Sequence, residues 1–341
     1  FDCETTIGED LASCIMEVDP LSLDIRRIVT DSDLDGVTTA AILKRWWIDA
    51  EVVFGPPGEL RAGLLDDKID SFTAVCDLPR HPNCGLSIDH HQSNRPASDT
   101  EDNAVIVWRA TPSAARIAYD LVGKRVDLSD LTDFMEWVDK LDGGGISRDE
   151  YMSDEPAVWL GRVIDVGEGT ALEIMEGLTR GDSIEEILSI PSVAQKLSER
   201  KVEREQLTSI ISERTRVVDR LAIARLEDLG MRSNGYHITA HVGDDCDACM
   251  VIHGNVGASF GEEGRYPVSA SFYTNSFLHN EGGIFDLTML ATSLDPDGGG
   301  HANACGCRIQ ALEGSERADR EVVEEDIESN IEIWLEMWSK R

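Results

Sequence analysis

Between Arg26 and about Asp142 the chain alternates short apolar runs with amphipathic stretches, the pattern of parallel strands joined by crossover helices. The runs predict strands at 26–30, 51–54, 72–76, 85–88 and 105–108, with helices at 36–47, 112–122 and 128–141. The triple glycine Gly143–Gly145 is expected to stop the last of these. From about 156 to 219 strand patterns are absent. Glu and Arg recur there at i,i+4 spacings over 192–218, which predicts a long polar helix. Strand-like runs return at 237–242, 249–254 and 268–273, followed by a helix near 285–293 and an acidic helix over 320–339 whose apolar positions end in Trp334 and Trp338. This order predicts an α/β fold with a parallel-sheet domain over 1–155, a helical connector over 156–220 and a smaller α/β domain over 221–341. The active site is expected in the cleft.

Charge changes this picture only at the surface. The 341 residues carry 31 Lys+Arg against 65 Asp+Glu, a net charge of −34, while 41% of the residues are hydrophobic. A globally basic nucleic-acid clamp is excluded, and so is a disordered acidic tail. Only 7 of the 31 basic residues are lysines. An acidic, lysine-poor surface resembles the proteins of salt-accumulating microbes, where molar salt screens repulsion over roughly 3 Å. No apolar run approaches the roughly 18 residues of a membrane helix, and no basic region followed by an apolar stretch opens the chain. A cytoplasmic location is therefore expected, with no membrane partner. The eight cysteines suggest no disulfide framework; Cys246-x-x-Cys249 and Cys305-x-Cys307 have the pair spacings of a four-thiolate zinc site, against the plainer reading of buried thiols. His237, His241 and His253, and the tryptophans Trp46, Trp47, Trp108, Trp137 and Trp159, fit core or surface positions.

The chemistry is concentrated at predicted strand ends, where open parallel sheets place their ligands. The first strand runs into Asp31-x-Asp33-x-Asp35-Gly36, the third ends in Asp77 and the fourth in Asp89-His90-His91. Alternating carboxylates within five residues repel one another unless a cation neutralises them. A further acid, Asp139 or Asp142, stands at the end of the 128–141 helix and could complete the ring. Carboxylates with imidazole suit Mn²⁺ or a similar first-row ion, and this many ligands suffice for two. Two ions roughly 3.5–4 Å apart clamp a phosphoryl group for in-line attack, so the set reads as a two-metal phosphoesterase.

Asp89-His90-His91, together with Gly298-Gly299-Gly300-His301 near the C-terminus, resembles the DHH phosphoesterases of the DHHA1 subgroup, over nearly the whole chain. The resemblance implies metal ligation by Asp33, Asp35, Asp77 and His90, with Asp139 as the last acid and Asp142 as its substitute. It implies that Asp89 orients a histidine, that His91 faces the scissile phosphate, and that Gly298, Gly299, Gly300 and His301 hold the substrate. Two divalent ions are implied, Mn²⁺ by preference, with Mg²⁺ or Co²⁺ as alternatives. The substrates implied are short single-stranded RNA or DNA, or a nucleotide such as 3′-phosphoadenosine 5′-phosphate. A RecJ-like exonuclease or a cyclic dinucleotide phosphodiesterase is the alternative within enzymes. Two departures stand out. Asp31 occupies the place of the family's usual histidine, which shifts the metal preference or marks an inactive scaffold. The 268–273 strand lacks the arginine that relatives use to hold phosphate, a role left to Arg265 or Arg308. The apolar C-terminal helix is compatible with a homodimer.

Overall fold

The computed structural model describes residues 18–97, 104–231, 233–259, 262–314 and 316–341. The described residues divide into two compact units, those up to 132 with 175–181, and those of 133–174 with 182–341.

The first unit is built on a five-stranded sheet of β1 (Arg27–Thr30), β2 (Glu51–Phe54), β3 (Thr73–Cys76), β4 (Leu86–Asp89) and β5 (Val105–Trp108), in the order β2-β1-β3-β4-β5. All four pairings are parallel. Strands β3 and β4 are buried throughout, as expected where helices cover both faces of a parallel sheet. Helix α1 (Leu34–Lys44) is buried from Leu34 to Leu43, and its N-cap is Asp33, whose carboxylate accepts the Gly36 N–H at 2.9 Å. Gly36 has no substitute here: a Cβ would stand 2.2 Å from the Asp31 carbonyl oxygen. The short α2 (Pro57–Arg61) and α3 (Ala114–Val122) complete the covering layers. Register decides what meets at the sheet's edge. Thr30 pairs with Cys76 and Cys76 with Ile88, so the next residues, Asp31, Asp77 and Asp89, stand at one level of the sheet's C-terminal edge, Asp89 still paired with Trp108. Because β1 lies between β2 and β3, the chain reverses direction across the sheet there, which opens a crevice at the C-terminal ends of β1 and β3.

The second unit opens with helices. These are α4 (Thr132–Asp142), which starts at the division between the units and ends before Gly144 at φ 72°, then α5 (Arg148–Met152), α6 (Pro156–Arg162), α7 (Thr170–Arg180), which the division crosses, α8 (Ile184–Leu188) and α9 (Pro191–Arg214). The long helix expected over 192–218 ends at Arg214, because Thr215–Val218 forms strand β6, antiparallel to β7 (Leu221–Arg225). With β8 (Ala248–His253), β9 (Ser269–Thr274), β10 (Gly299–His301) and β11 (Ala304–Arg308) they make a mixed sheet, β10-β11-β9-β8-β7-β6, in which only β7 and β8 run parallel. The strand expected at 237–242 is instead a helix, α10 (Gly235–Val242), capped by Asn234. A two-stranded ribbon of β12 (Leu312–Glu313) and β13 (Glu316–Arg317) precedes the last helix, while α11 (Thr288–Leu294) packs beside β11.

The final helix α12 (Glu324–Trp338) lays Ile327, Ile331, Trp334 and Trp338 into this unit's core beside Phe272 and Leu290. That spacing is one helical face. Its largest apolar side chains are thus spent on the unit's own sheet, which removes the argument for a homodimer through them. Cys246 and Cys249 lie in the core on the α10 side of the sheet, Cys305 and Cys307 in the core on the α12 side, so the four thiols share no zinc site. All six described cysteines are buried and unbridged. No described helix is long and apolar enough to cross a membrane.

Candidate metal centre

At the crevice the first unit gathers Asp31, Asp33, Asp35, Asp77, Asp89, His90 and His91. Ligand atoms of Asp31, Asp33 and Asp77 lie within 4.8 Å of one another, and so do those of Asp77, His90 and His91. Asp35 is 1% exposed, yet its carboxylate is satisfied by the fold: Oδ2 accepts the Ala114 N–H and Oδ1 the Ala115 N–H, each at 2.7 Å. These are orphan donors at the start of α3, where a negative charge also complements the helix dipole. Asp77 stands at φ 56°, a left-handed conformation that aspartate tolerates better than most residues.

The tautomer of His90 follows from its neighbour. Nδ1 lies 3.1 Å from the Thr111 carbonyl oxygen. A carbonyl can only accept, so Nδ1 carries the proton and Nε2 of the neutral ring presents a lone pair. That lone pair faces Oδ2 of Asp35 at 3.6 Å and Oδ1 of Asp77 at 3.5 Å. Burial, reinforced by His91, holds the His90 pKa below the usual imidazole value, which favours the neutral ring. Acceptors brought together in this way repel, and a divalent ion with oxygen and nitrogen ligands relieves the repulsion.

Asp89 works differently. Its Oδ1 accepts the backbone N–H of His90 at 2.7 Å and of His91 at 3.0 Å, and lies 2.8 Å from Nδ1 of His91. Asn94 donates to Oδ2 at 2.6 Å. Burial alone would raise the Asp89 pKa, but the His91 and Asn94 hydrogen bonds outweigh it and hold the carboxyl below its ordinary value. The His91 carbonyl in turn accepts from Nε1 of Trp108 at 2.9 Å. Asp31 shows the opposite balance: burial, joined by the neighbouring Asp33 charge, raises its pKa even though the Ser32 N–H donates to Oδ1 at 2.6 Å.

Asn94, Thr111 and the α3 N-terminus are the positions that motif reading missed. Asn94 carried a weak signal, standing just beyond the Asp89-His90-His91 triplet, whereas a backbone carbonyl such as that of Thr111 leaves none in a sequence. The other expected residues belong to the second unit. Asp139 is half-buried and Asp142 exposed at the C-terminal end of α4. In the glycine run a Cβ on Gly298 would stand 2.4 Å from the Ala291 carbonyl oxygen, and Gly299 and Gly300 adopt φ 157° and 138°. His301 is exposed at the end of the edge strand β10. Arg308 is already engaged, bidentate to Asp295 at 2.9 and 2.7 Å and paired with Asp297 at 2.5 Å. Arg265 pairs with Glu262 at 3.0 Å.

No family model matches the chain, and no curated protein does. Among solved structures it is similar to the pGpG-specific phosphodiesterase PggH from Vibrio cholerae, at 23% identity and a TM-score of 0.70, covering 91% of this chain and 98% of that one. It is also similar to the DHH domain of a protein described as a member of a ribosomal-protein family, at 16% identity and a TM-score of 0.52, covering 92% and 87%. The chain thus shares its fold with a solved DHH domain and with a solved phosphodiesterase.

Proposed function

We propose that the chain is a metal-dependent phosphodiesterase that hydrolyses short oligonucleotides, linear dinucleotides first among them. The observation that carries this reading is the meeting of the His90 Nε2 lone pair with the Asp35 and Asp77 carboxylates at the β1/β3 crevice. The donor set of carboxylate oxygens with one neutral imidazole nitrogen fits a first-row divalent ion, Mn²⁺ by preference. Asp31, Asp33, Asp35, Asp77 and His90 would hold two such ions, with Asp139 or, in its place, Asp142 as the sixth ligand. Bound there, the ions would neutralise the phosphate and acidify an attacking water. The protein's own residues supply the rest. Asp89, 2.8 Å from Nδ1 of His91, would accept Nδ1–H and favour the imidazolium form of that exposed ring, whose Nε2–H would then pass to the leaving oxygen and leave His91 neutral. Gly298, Gly299 and Gly300 let backbone N–H groups approach the far end of the substrate, with His301 and Arg308 beside them.

In this reading residues 1–155 are the catalytic part, 156–220 the connector and 221–341 the substrate-binding part. The pGpG specificity stated for the Vibrio protein supports a dinucleotide over a long strand. The test is hydrolysis of linear pGpG, 3′-phosphoadenosine 5′-phosphate, a cyclic dinucleotide and a long single strand, with Mn²⁺ in roughly molar KCl, by the wild type and Asp77→Asn. Preferential cleavage of the dinucleotide by the wild type, lost in the variant, is the expected result. Preference for the long strand or the cyclic compound replaces the substrate; no cleavage of any substrate overturns the reading.

A further inference from the structure

The second unit holds a cavity of about 620 Å³ lined by Tyr151, Arg162, Arg200, Arg204, Asn234 and His237, among others. Three guanidinium groups around one cavity are out of keeping with a chain of net charge −34. Arg200 is paired with Glu203 at 2.7 Å. Arg162 and Arg204 have no carboxylate within ion-pair distance among the described residues. They donate instead to the Tyr151 carbonyl oxygen, at 2.6 and 3.3 Å. Nη1 of Arg162 and Nε of Arg200 are buried with no hydrogen-bond partner among the described residues.

The guanidinium planes are nevertheless fixed. Arg162 lies 4.8 Å and Arg204 5.2 Å from the centroid of the Trp159 ring, and Arg162 lies 4.9 Å from that of Tyr151. The N-terminus of α10, at Asn234, borders the same cavity and adds positive potential. The uncompensated charge is felt locally. Burial, then the neighbouring Arg204, brings the Arg162 pKa down to about 10. Burial, then Arg204 and Arg162, brings that of His237 down to about 4.

Like charges partly removed from water destabilise a fold unless an anion completes the set. We propose that this cavity is a binding site for a phosphorylated, nucleotide-sized ligand, whose phosphate meets Arg162 and Arg204 and whose remainder fills the space toward Asn234. Planar guanidinium forks held on aromatic faces match phosphate geometry. A volume of about 620 Å³ is far larger than inorganic phosphate needs and falls in the range of small-molecule pockets. None of the lining residues is a proposed metal ligand or part of the glycine run, so the site is additional to the proposed activity.

The full chain, kept free of divalent metal with EDTA at constant ionic strength, is titrated calorimetrically with 5′-AMP and with inorganic phosphate. Saturable one-to-one binding of 5′-AMP, tighter than that of phosphate, is expected. Arg162→Gln and Arg204→Gln should weaken it about tenfold or more, Arg204→Lys by less, and Asp77→Asn not at all. As a readout in the unaltered protein, saturating 5′-AMP should raise the His237 pKa, followed by its imidazole NMR signals. Equal binding by phosphate and 5′-AMP overturns the nucleotide-sized ligand. Absence of saturable binding, affinity unchanged in Arg162→Gln and Arg204→Gln, or loss of binding in Asp77→Asn overturns the site.

Discussion

The carboxylate of Asp35 accepts the backbone N–H of Ala114 at 2.7 Å while the same oxygen, Oδ2, stands 3.6 Å from Nε2 of His90. One side chain therefore serves both the first turn of α3 and the candidate metal centre. Its two duties are separable by experiment.

Asp35→Asn keeps one acceptor oxygen but removes the charge and turns an NH₂ group toward one of two backbone donors. A lost charge at a helix N-terminus and a buried donor left without an acceptor together cost about 2–4 kcal/mol. The melting temperature should fall with or without metal, and Mn²⁺-dependent hydrolysis should be lost. A variant as stable as the wild type would show that Asp35 does not anchor α3.

Asp77 predicts a different outcome, because its carboxylate faces His90 and its backbone sits at φ 56°. Asparagine adopts this conformation readily and alanine does not; the alanine penalty is about 1–2 kcal/mol. Asp77→Asn should melt close to the wild type and Asp77→Ala below it. Both should lose at least about 100-fold in Mn²⁺-dependent rate, since substitutions one shell further out already cost 10–100-fold. Hydrolysis and thermal unfolding on the same preparations separate the two effects.

Asn94 acts on the centre through Asp89. Its amide holds Oδ2 of Asp89 at 2.6 Å, and Oδ1 of Asp89 orients His91. Asn94→Ala should leave the fold intact and lower the rate or the apparent Mn²⁺ affinity about tenfold. A Mn²⁺ titration of the initial rate distinguishes these, and wild-type behaviour in both would remove Asn94 from the site.

How much of this was legible in the sequence depends on whether the determinant was local. The parallel sheet, α1 and the convergence of Asp31, Asp77 and Asp89 follow from apolar runs each ending in a carboxylate, and register then brings them level. Gly36 was legible as part of a motif, and the 2.2 Å approach to the Asp31 carbonyl oxygen gives its reason. The helix α10 was not. Its β-branched Ile238, Thr239 and Val242 read as a strand, but Asn234 caps it and Gly235 lets it press against Tyr273, where a Cβ would stand 2.2 Å away. Tertiary packing overrode propensity there. The arginine cavity was hidden for a related reason: on a polar helix, Arg200 and Arg204 look like partners of nearby glutamates, and only the fold brings Arg162 and Trp159 alongside.

His237 offers a test that needs no metal and no ligand. It is 7% exposed, faces Arg204 on α9 and Arg162 on α6, shares its own helix with His241, and has Nε2 3.0 Å from the Thr208 hydroxyl. Its pKa is about 4 in the folded protein and about 6.5 unfolded. Between these values the unfolded chain binds more protons, so stability rises with pH across the window. The contribution is complete above pH about 6.5 and is lost as pH falls toward 4, at up to about 1.4 kcal/mol per pH unit. His237→Gln cannot titrate and retains a partner for Thr208. Other acid-titrating groups are common to both proteins and cancel in the difference. Denaturant midpoints from pH 7 to 4.5 should therefore diverge steadily, with the wild type losing stability faster. Parallel curves would mean that His237 is solvated and that the arginines around it exert no such field.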